Sequence, residues 1–293
     1  MLLSAGVRVK KIHFCGLLLL LSVPVAPAYA SDDCKLVSVQ TQLNHYRLMG
    51  IPYLRGPVKS VSMTTEKNPQ SDIRLSSFNR IHLSPCGDII SYDFMRKSQE
   101  YGMLTTTTVT AAEDDAAINL EYTYSTGYIT QKKPRPMISR ITLTKDAQQV
   151  VTGYRTENFI KGNSTVLSET GELNYRSGDI DNIVINSQLF AQTYSMKYNY
   201  NNNGDISRIY TDTSPMIEYT FTYNDKGGLV TGSDKTDIAG ITVTNHVECT
   251  RWDTWQNCTS GIWTKTNSNN QPGMTDVQGR TVFHTTYDYY GGK

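Results

Sequence analysis

The 293-residue chain is short of the signatures that announce an activity. Its 5 cysteines include no Cys-x-x-Cys pair, and its 5 histidines form no His-x-His or His-Glu-x-x-His arrangement that would set two imidazoles on one metal. A Gly-x-Ser-x-Gly elbow, which would expose a serine nucleophile, is absent too. No metal and no cofactor are therefore expected. Charge of one sign is also lacking: 28 Lys and Arg face 27 Asp and Glu, a balance that gives nucleic acid no electrostatic footprint. One apolar run stands out, from Phe14 to Val25. It contains Pro24 and falls short of the roughly 18 residues a spanning helix needs, so no stable membrane span is expected.

That run belongs to a tripartite secretory signal. Arg8, Lys10 and Lys11 precede it, and Ala28-Tyr29-Ala30 follows, which predicts cleavage after Ala30. Cys34 lies beyond Ser31-Asp32-Asp33 and fits no lipid-attachment site, so the expected product is soluble and periplasmic or secreted. Cleavage removes three basic residues and no acidic one, leaving 25 minus 27, or −2, over 263 residues. Four cysteines remain in an oxidising compartment, and three connectivities are open to them. Cys249 with Cys258 and Cys34 with Cys86 is the preferred set. The first pair flanks a segment able to fold back on itself, and the second would tie the N-terminal segment to the β region.

A degenerate unit recurs down the chain: an aromatic or apolar residue, a polar turn ending in Gly, and an apolar residue two positions later. Tyr200-Asn201-Asn202-Asn203-Gly204-Asp205-Ile206 and Tyr223-Asn224-Asp225-Lys226-Gly227-Gly228-Leu229 are its clearest copies. Further copies are read at Gly87, Gly127, Gly178, Gly261 and Gly279, and Leu143 to Ala147 reads as one that has lost its glycine. Glycine suits the last turn position because it takes positive φ without steric penalty. Around the turns, alternation such as Ile217, Tyr219, Phe221, Tyr223 predicts half-buried strands. The reading is all-β over residues 54–293, an antiparallel meander of hairpins forming a curved open sheet or partial barrel. Residues 31–53 precede it as a separate segment, with a short helix suggested by Leu36, Val39, Leu43 and Tyr46.

These units resemble the YD repeats of bacterial rearrangement-hotspot (Rhs) proteins, in which Tyr-Asp or Tyr-Asn precedes a Gly turn and an apolar return strand. Tyr198-Asn199-Tyr200, Tyr223-Asn224 and Tyr287-Asp288-Tyr289 carry the likeness. Gly56-Pro57-Val58-Lys59-Ser60-Val61 and Gly261-Ile262-Trp263-Thr264-Lys265 resemble strand motifs of small exported members. The resemblance implies a bacterial envelope and a repetitive sheet, and carries over no catalytic residue.

Candidates for chemistry are thin. His45, His82, His246 and His284 are scattered, Glu113-Asp114-Asp115 reads as a solvated turn, and Glu218 and Glu248 sit singly in strands. The surplus is aromatic, with 19 Tyr against 7 Phe. Rings with a polar handle suit half-exposed sheet surfaces and can stack on ligands. Tyr198, Tyr200, Tyr219, Tyr223, Trp252, Trp255 and Trp263 are thus the candidate binding residues, along a concave face if the sheet curves. The expected role is a non-enzymatic binding or interaction module for an envelope glycan or another envelope protein. An envelope hydrolase acting on glycan or peptide bonds, and a toxin-associated accessory or immunity factor, are the alternatives.

Overall fold

The structure is a computed structural model. It describes residue 48 and residues 54–66, 74–100, 103–128, 136–160, 166–188, 191–211, 216–238, 241–269 and 277–291. Sixteen strands follow one another in a meander. The first eight are β1 (Val58–Thr65), β2 (Arg74–Leu83), β3 (Ile89–Glu100), β4 (Met103–Glu113), β5 (Ala117–Tyr128), β6 (Met137–Lys145), β7 (Val151–Ile160) and β8 (Val166–Arg176). The second eight are β9 (Asp179–Ser187), β10 (Gln192–Tyr200), β11 (Ile206–Thr211), β12 (Met216–Tyr223), β13 (Leu229–Ile238), β14 (Ile241–Trp252), β15 (Cys258–Asn269) and β16 (Val277–Tyr289).

The sheet closes, which corrects the expected open or partial form. Val58–Thr65 runs antiparallel to the end of β16, with Val61 opposite Tyr287 and Thr65 opposite Phe283, so both edge strands find partners. Closure removes the unpaired ladder groups that an open edge would present.

Side-chain alternation sorts every strand into two faces. In β2, Leu75, Ser77, Asn79, Ile81 and Leu83 are buried while Arg80 and His82 are exposed. In β12, Ile217, Tyr219 and Phe221 are buried and Thr220 and Thr222 are exposed. The inward face carries the apolar core, including Ile118, Leu143, Ile180, Ile206 and Ile209, each at 2% exposure or less. The outward face carries Thr, Ser and charge, with ion pairs Arg140–Glu121, Arg155–Glu157, Arg208–Glu218 and Lys235–Asp237 along it.

The barrel is flattened rather than round. From β3 to β14 through β1 is five strand steps, about 24 Å of wall at ordinary strand spacing. Yet Arg96 Nη2 on β3 donates to Asn245 Oδ1 on β14 at 2.7 Å. Leu75 of β2 likewise shares one cluster with Phe283 of β16, Trp263 of β15 and Val247 of β14, which lie two, three and four strands away along the wall. Opposed walls in contact turn the lumen into a core.

The two ends differ. Seven turns gather at one end, at residues 84–88, 114–116, 146–150, 177–178, 201–205, 224–228 and 253–257. Five of them share one design. The first residue's side chain accepts two backbone N–H groups, at positions two and four further on, as Asn201 Oδ1 does from Asn203 and Asp205 at 2.9 Å each. Ser84, Asp146, Asn224 and Asp253 do the same. The fourth position takes positive φ: Gly87, Gly204 and Gly227, but also Gln149 and Gln256. The turn at 146–150 is thus the copy that lost its glycine. Gly127, Gly261 and Gly279, read from sequence as turns, lie inside β5, β15 and β16. The real turn before Gly261 starts at Asp253 and was hidden because Gln256 holds its left-handed position.

Of the expected disulfides, Cys249–Cys258 is present, bridging the ends of β14 and β15 with Cα atoms 5.9 Å apart. Cys86 is also disulfide-bonded, to a cysteine outside the described residues, where Cys34 lies. The expected helix over residues 36–46, the segment 31–53 apart from Leu48, the signal segment 1–30 and His45 fall outside the described residues as well. Leu48 is buried in the main core beside Leu54.

Candidate functional site

The repeat's aromatic residue stitches neighbouring hairpins together. Tyr175 Oη at the end of β8 donates to the carbonyl of Val151, the first residue of β7, at 2.6 Å. Tyr200 donates to Ile180 O at 2.7 Å, Tyr223 to Ile206 O at 2.6 Å, Trp252 Nε1 to Leu229 O at 2.9 Å and Tyr287 to Cys258 O at 2.9 Å. Each ring fills the core margin while its polar tip satisfies a carbonyl where the ladder begins. Where the aromatic is missing, an ion pair takes its position. Glu113, last in β4, accepts from Ile89 N at 3.0 Å. Lys145, last in β6, meets Glu113 at 2.7 Å and donates to Asp114 O at 2.7 Å, with both side chains under 5% exposed.

A strap covers this end. Arg55 donates to the carbonyls of Lys226 and Gly227, and its backbone N–H and C=O are both held by the Asn257 side chain at 2.8 Å. Asn257 also donates to Tyr289 Oη at 2.9 Å. Gly56, at φ 79°, lies against the Trp255 ring, where any Cβ would collide with it. Below the strap is a cavity of about 50 Å³ lined by Leu54, Met63, Asn79, Val247, Phe283 and Tyr287 among others.

Deeper toward the other end, charged and polar side chains cross the lumen. Arg96 bonds Asn245, whose Nδ2 donates to Asp234 Oδ1 at 2.8 Å, and the Arg96 guanidinium stacks 4.2 Å from the Trp263 ring centre. Lys265, opposite Asn245 in the ladder, is buried beside them. Burial pushes the Asp234 carboxyl up to about 6, against the lowering pull of Asn245, Arg96 and Lys265. On the wall formed by β7 to β10, Glu169 is 1% exposed and accepts from Ser187 Oγ. Burial raises its carboxyl too, and raises the nearby Tyr154 and Tyr194 hydroxyls. Asp234 and Glu169 keep separate partners.

The sequence-predicted aromatics thus do not share one groove. Tyr198 and Tyr219 are buried core residues, Trp263 is buried under Arg96, and Tyr200, Tyr223 and Trp252 are hairpin stitches. Trp255, 38% exposed, packs on Gly56 and lies 6.1 Å from Tyr289 between ring centres. His82, His246 and His284 sit on the outward faces of β2, β14 and β16, the last bonded to Glu66 at 2.7 Å. Among the described residues, no group of three His, Cys, Asp or Glu is placed to hold a metal. Arg96, Asp234, Asn245 and Lys265 were not singled out from sequence. Their one signal is polar residues at strand positions that alternation turns inward, such as Asn245 between Val243 and Val247.

No family model and no curated protein matches the chain. Among solved structures it is similar to a porin-like protein from Bacteroides uniformis ATCC 8492, at 12% identity and a TM-score of 0.47. That match covers 80% of this chain and 98% of the other.

Proposed function

We propose that the protein is an exported, non-enzymatic β-barrel of the bacterial envelope, related to YD-repeat proteins, that binds an envelope glycan or another envelope protein. The observation carrying this reading is the inequality of the two ends. One end is stitched and strapped; at the other, β1 and β2, β5 and β6, and β15 and β16 are separated by 8, 8 and 7 residues of sequence. Binding residues concentrate on connections positioned by a rigid scaffold, and barrel mouths are favoured ligand sites. With Tyr198, Tyr219, Trp263, Tyr200, Tyr223 and Trp252 committed to core and stitches, recognition moves from the sheet face to this mouth.

The test uses purified mature protein. Melting temperature is followed with solubilised cell-wall glycan and surface polysaccharide, and a tagged protein is incubated with envelope extract. Replacing residues 129–136 by a short Gly-Ser connection should abolish a response that replacing the 201–205 turn with another five-residue turn leaves intact. A response to neither ligand class, or one lost equally in both variants, defeats the reading.

A further inference from the structure

The geometry points to a small-anion site inside the lumen, formed by Ser77, Ser98 and Trp263 around the Arg96 guanidinium. Ser77 Oγ, Ser98 Oγ and Trp263 Nε1 are each buried without a hydrogen-bond partner, in residues 8%, 4% and 6% exposed. Burying a donor unpaired forfeits its hydration with nothing in return, so three in one neighbourhood call for an acceptor.

The neighbourhood is set by strand register. Ser77 lies directly opposite Arg96, and Ser98 is two residues further along the same inward face of β3. Ser98 faces Leu75, which shares one cluster with Trp263 of β15, and the Trp263 ring receives the guanidinium. Register and packing therefore bring two hydroxyl-bearing residues and the Trp263 ring to the neighbourhood of one cation. An indole N–H only donates, a hydroxyl can always turn its proton to an acceptor, and the amide of Asn79, whose Oδ1 is likewise unpartnered on the same face of β2, can present its NH2 by a flip, so the set fits an anion better than a cation. Arg96 and Lys265, both 7% exposed, outnumber Asp234, the carboxylate bonded to Asn245 in the same cluster, so the net potential is positive and low dielectric strengthens it.

Size follows from the flattening. Arg96 spans the lumen to Asn245 at 2.7 Å and stacks on Trp263 at 4.2 Å, a spacing that excludes a sugar and makes a single-atom anion the upper size limit. A halide is the ligand this space takes. The site is independent of the mouth proposed above, since its residues belong to the strands.

The experiment compares melting of mature protein in sodium gluconate with added sodium chloride, bromide or phosphate at constant ionic strength. Chloride and bromide should give a saturable rise, and bromide-soaked crystals an anomalous peak beside Trp263. Trp263→Phe keeps the ring and removes the N–H; Ser77→Ala with Ser98→Ala removes the hydroxyls. Each variant should weaken the apparent halide affinity at least about tenfold, the loss of one charge-assisted bond. A rise that is unsaturable or equal in wild type and variants overturns the proposal, as does a lumen without the anomalous peak. A response to phosphate with none to halide overturns the size assignment.

Discussion

Asp234 shows how a single buried group sets a pH response opposite to the usual one. Its folded carboxyl titrates near 6, above the ordinary 3.8, because burial outweighs the help of Asn245, Arg96 and Lys265. A raised carboxyl contributes stability that is complete below the unfolded value and lost as pH rises through the folded one. Between pH 4 and 6, the stability of wild type relative to Asp234→Asn should therefore fall by about 1–3 kcal/mol, then stay level above pH 7. Urea melts of both proteins at each pH measure this difference, and cancel the contributions of the other carboxyls. A flat difference across that range would mean that Asp234 is solvated. Asp114 behaves in the ordinary sense: the N–H groups of Ala116 and Ala117 lower its carboxyl, as expected of a turn-starting acid.

At the scale of the hairpin, turn and stitch form one unit with separable parts. Gly204 sits at φ 82° with open space where a Cβ would go, so Gly204→Ala should cost about 1–2 kcal/mol through backbone conformation alone. Gln256 holds the equivalent position at φ 69°, and Gln256→Gly should leave stability unchanged or raise it by up to about 1 kcal/mol. Chemical denaturation of the two variants reads both. The ionic stitch makes a sharper test. Lys145→Met leaves Glu113 buried and uncompensated, for an expected loss of about 3–5 kcal/mol. Combining it with Glu113→Leu should recover part of that, the remainder being about 1–3 kcal/mol for the orphaned Ile89 N–H. A double variant no more stable than Lys145→Met would show that the pair is not coupled. Much of this unit was legible in sequence. Gly204 and Gly227 announce turns because positive φ favours glycine. Gly261 misled for the same reason: it is needed where Glu248 O and the Phe283 ring crowd the strand, a close approach that sequence does not distinguish from a turn. The stitching role of Tyr200 and Tyr223 was hidden because their acceptors are carbonyls 20 and 17 residues earlier.

For the whole molecule, alternation gave strands but not closure, because closure rests on one long-range pairing between Val58–Thr65 and β16. Nor did it say which face is the core; packing across the flattened lumen decides that. The consequence concerns the membrane. Thirteen of the sixteen strands, at 9 to 13 residues, are long enough to cross a bilayer at a tilt, and no helix criterion bears on them. A lipid-facing barrel, however, needs an apolar outer band about 25 Å tall, and each outward Arg or Lys at its middle costs about 2–4 kcal/mol. This outer face places Lys97, Arg140, Arg155, Lys197, Arg208, Lys235 and Arg280 around the circumference, between rows of Thr and Ser; Ile90 and Leu104 are exposed, but the buried apolar core lies inward. The polarity is inverted relative to a lipid-facing wall, and the penalties add over many strands. Mature protein should therefore be monodisperse without detergent and should stay with the aqueous fraction when floated with phosphatidylethanolamine–phosphatidylglycerol vesicles. Substituting Arg140, Arg155 and Lys197 by Leu should not move it into the vesicles, because the remaining outward charges still oppose insertion. Flotation of wild type with the vesicles, resistant to high salt and alkaline wash, would contradict the inward placement of the core.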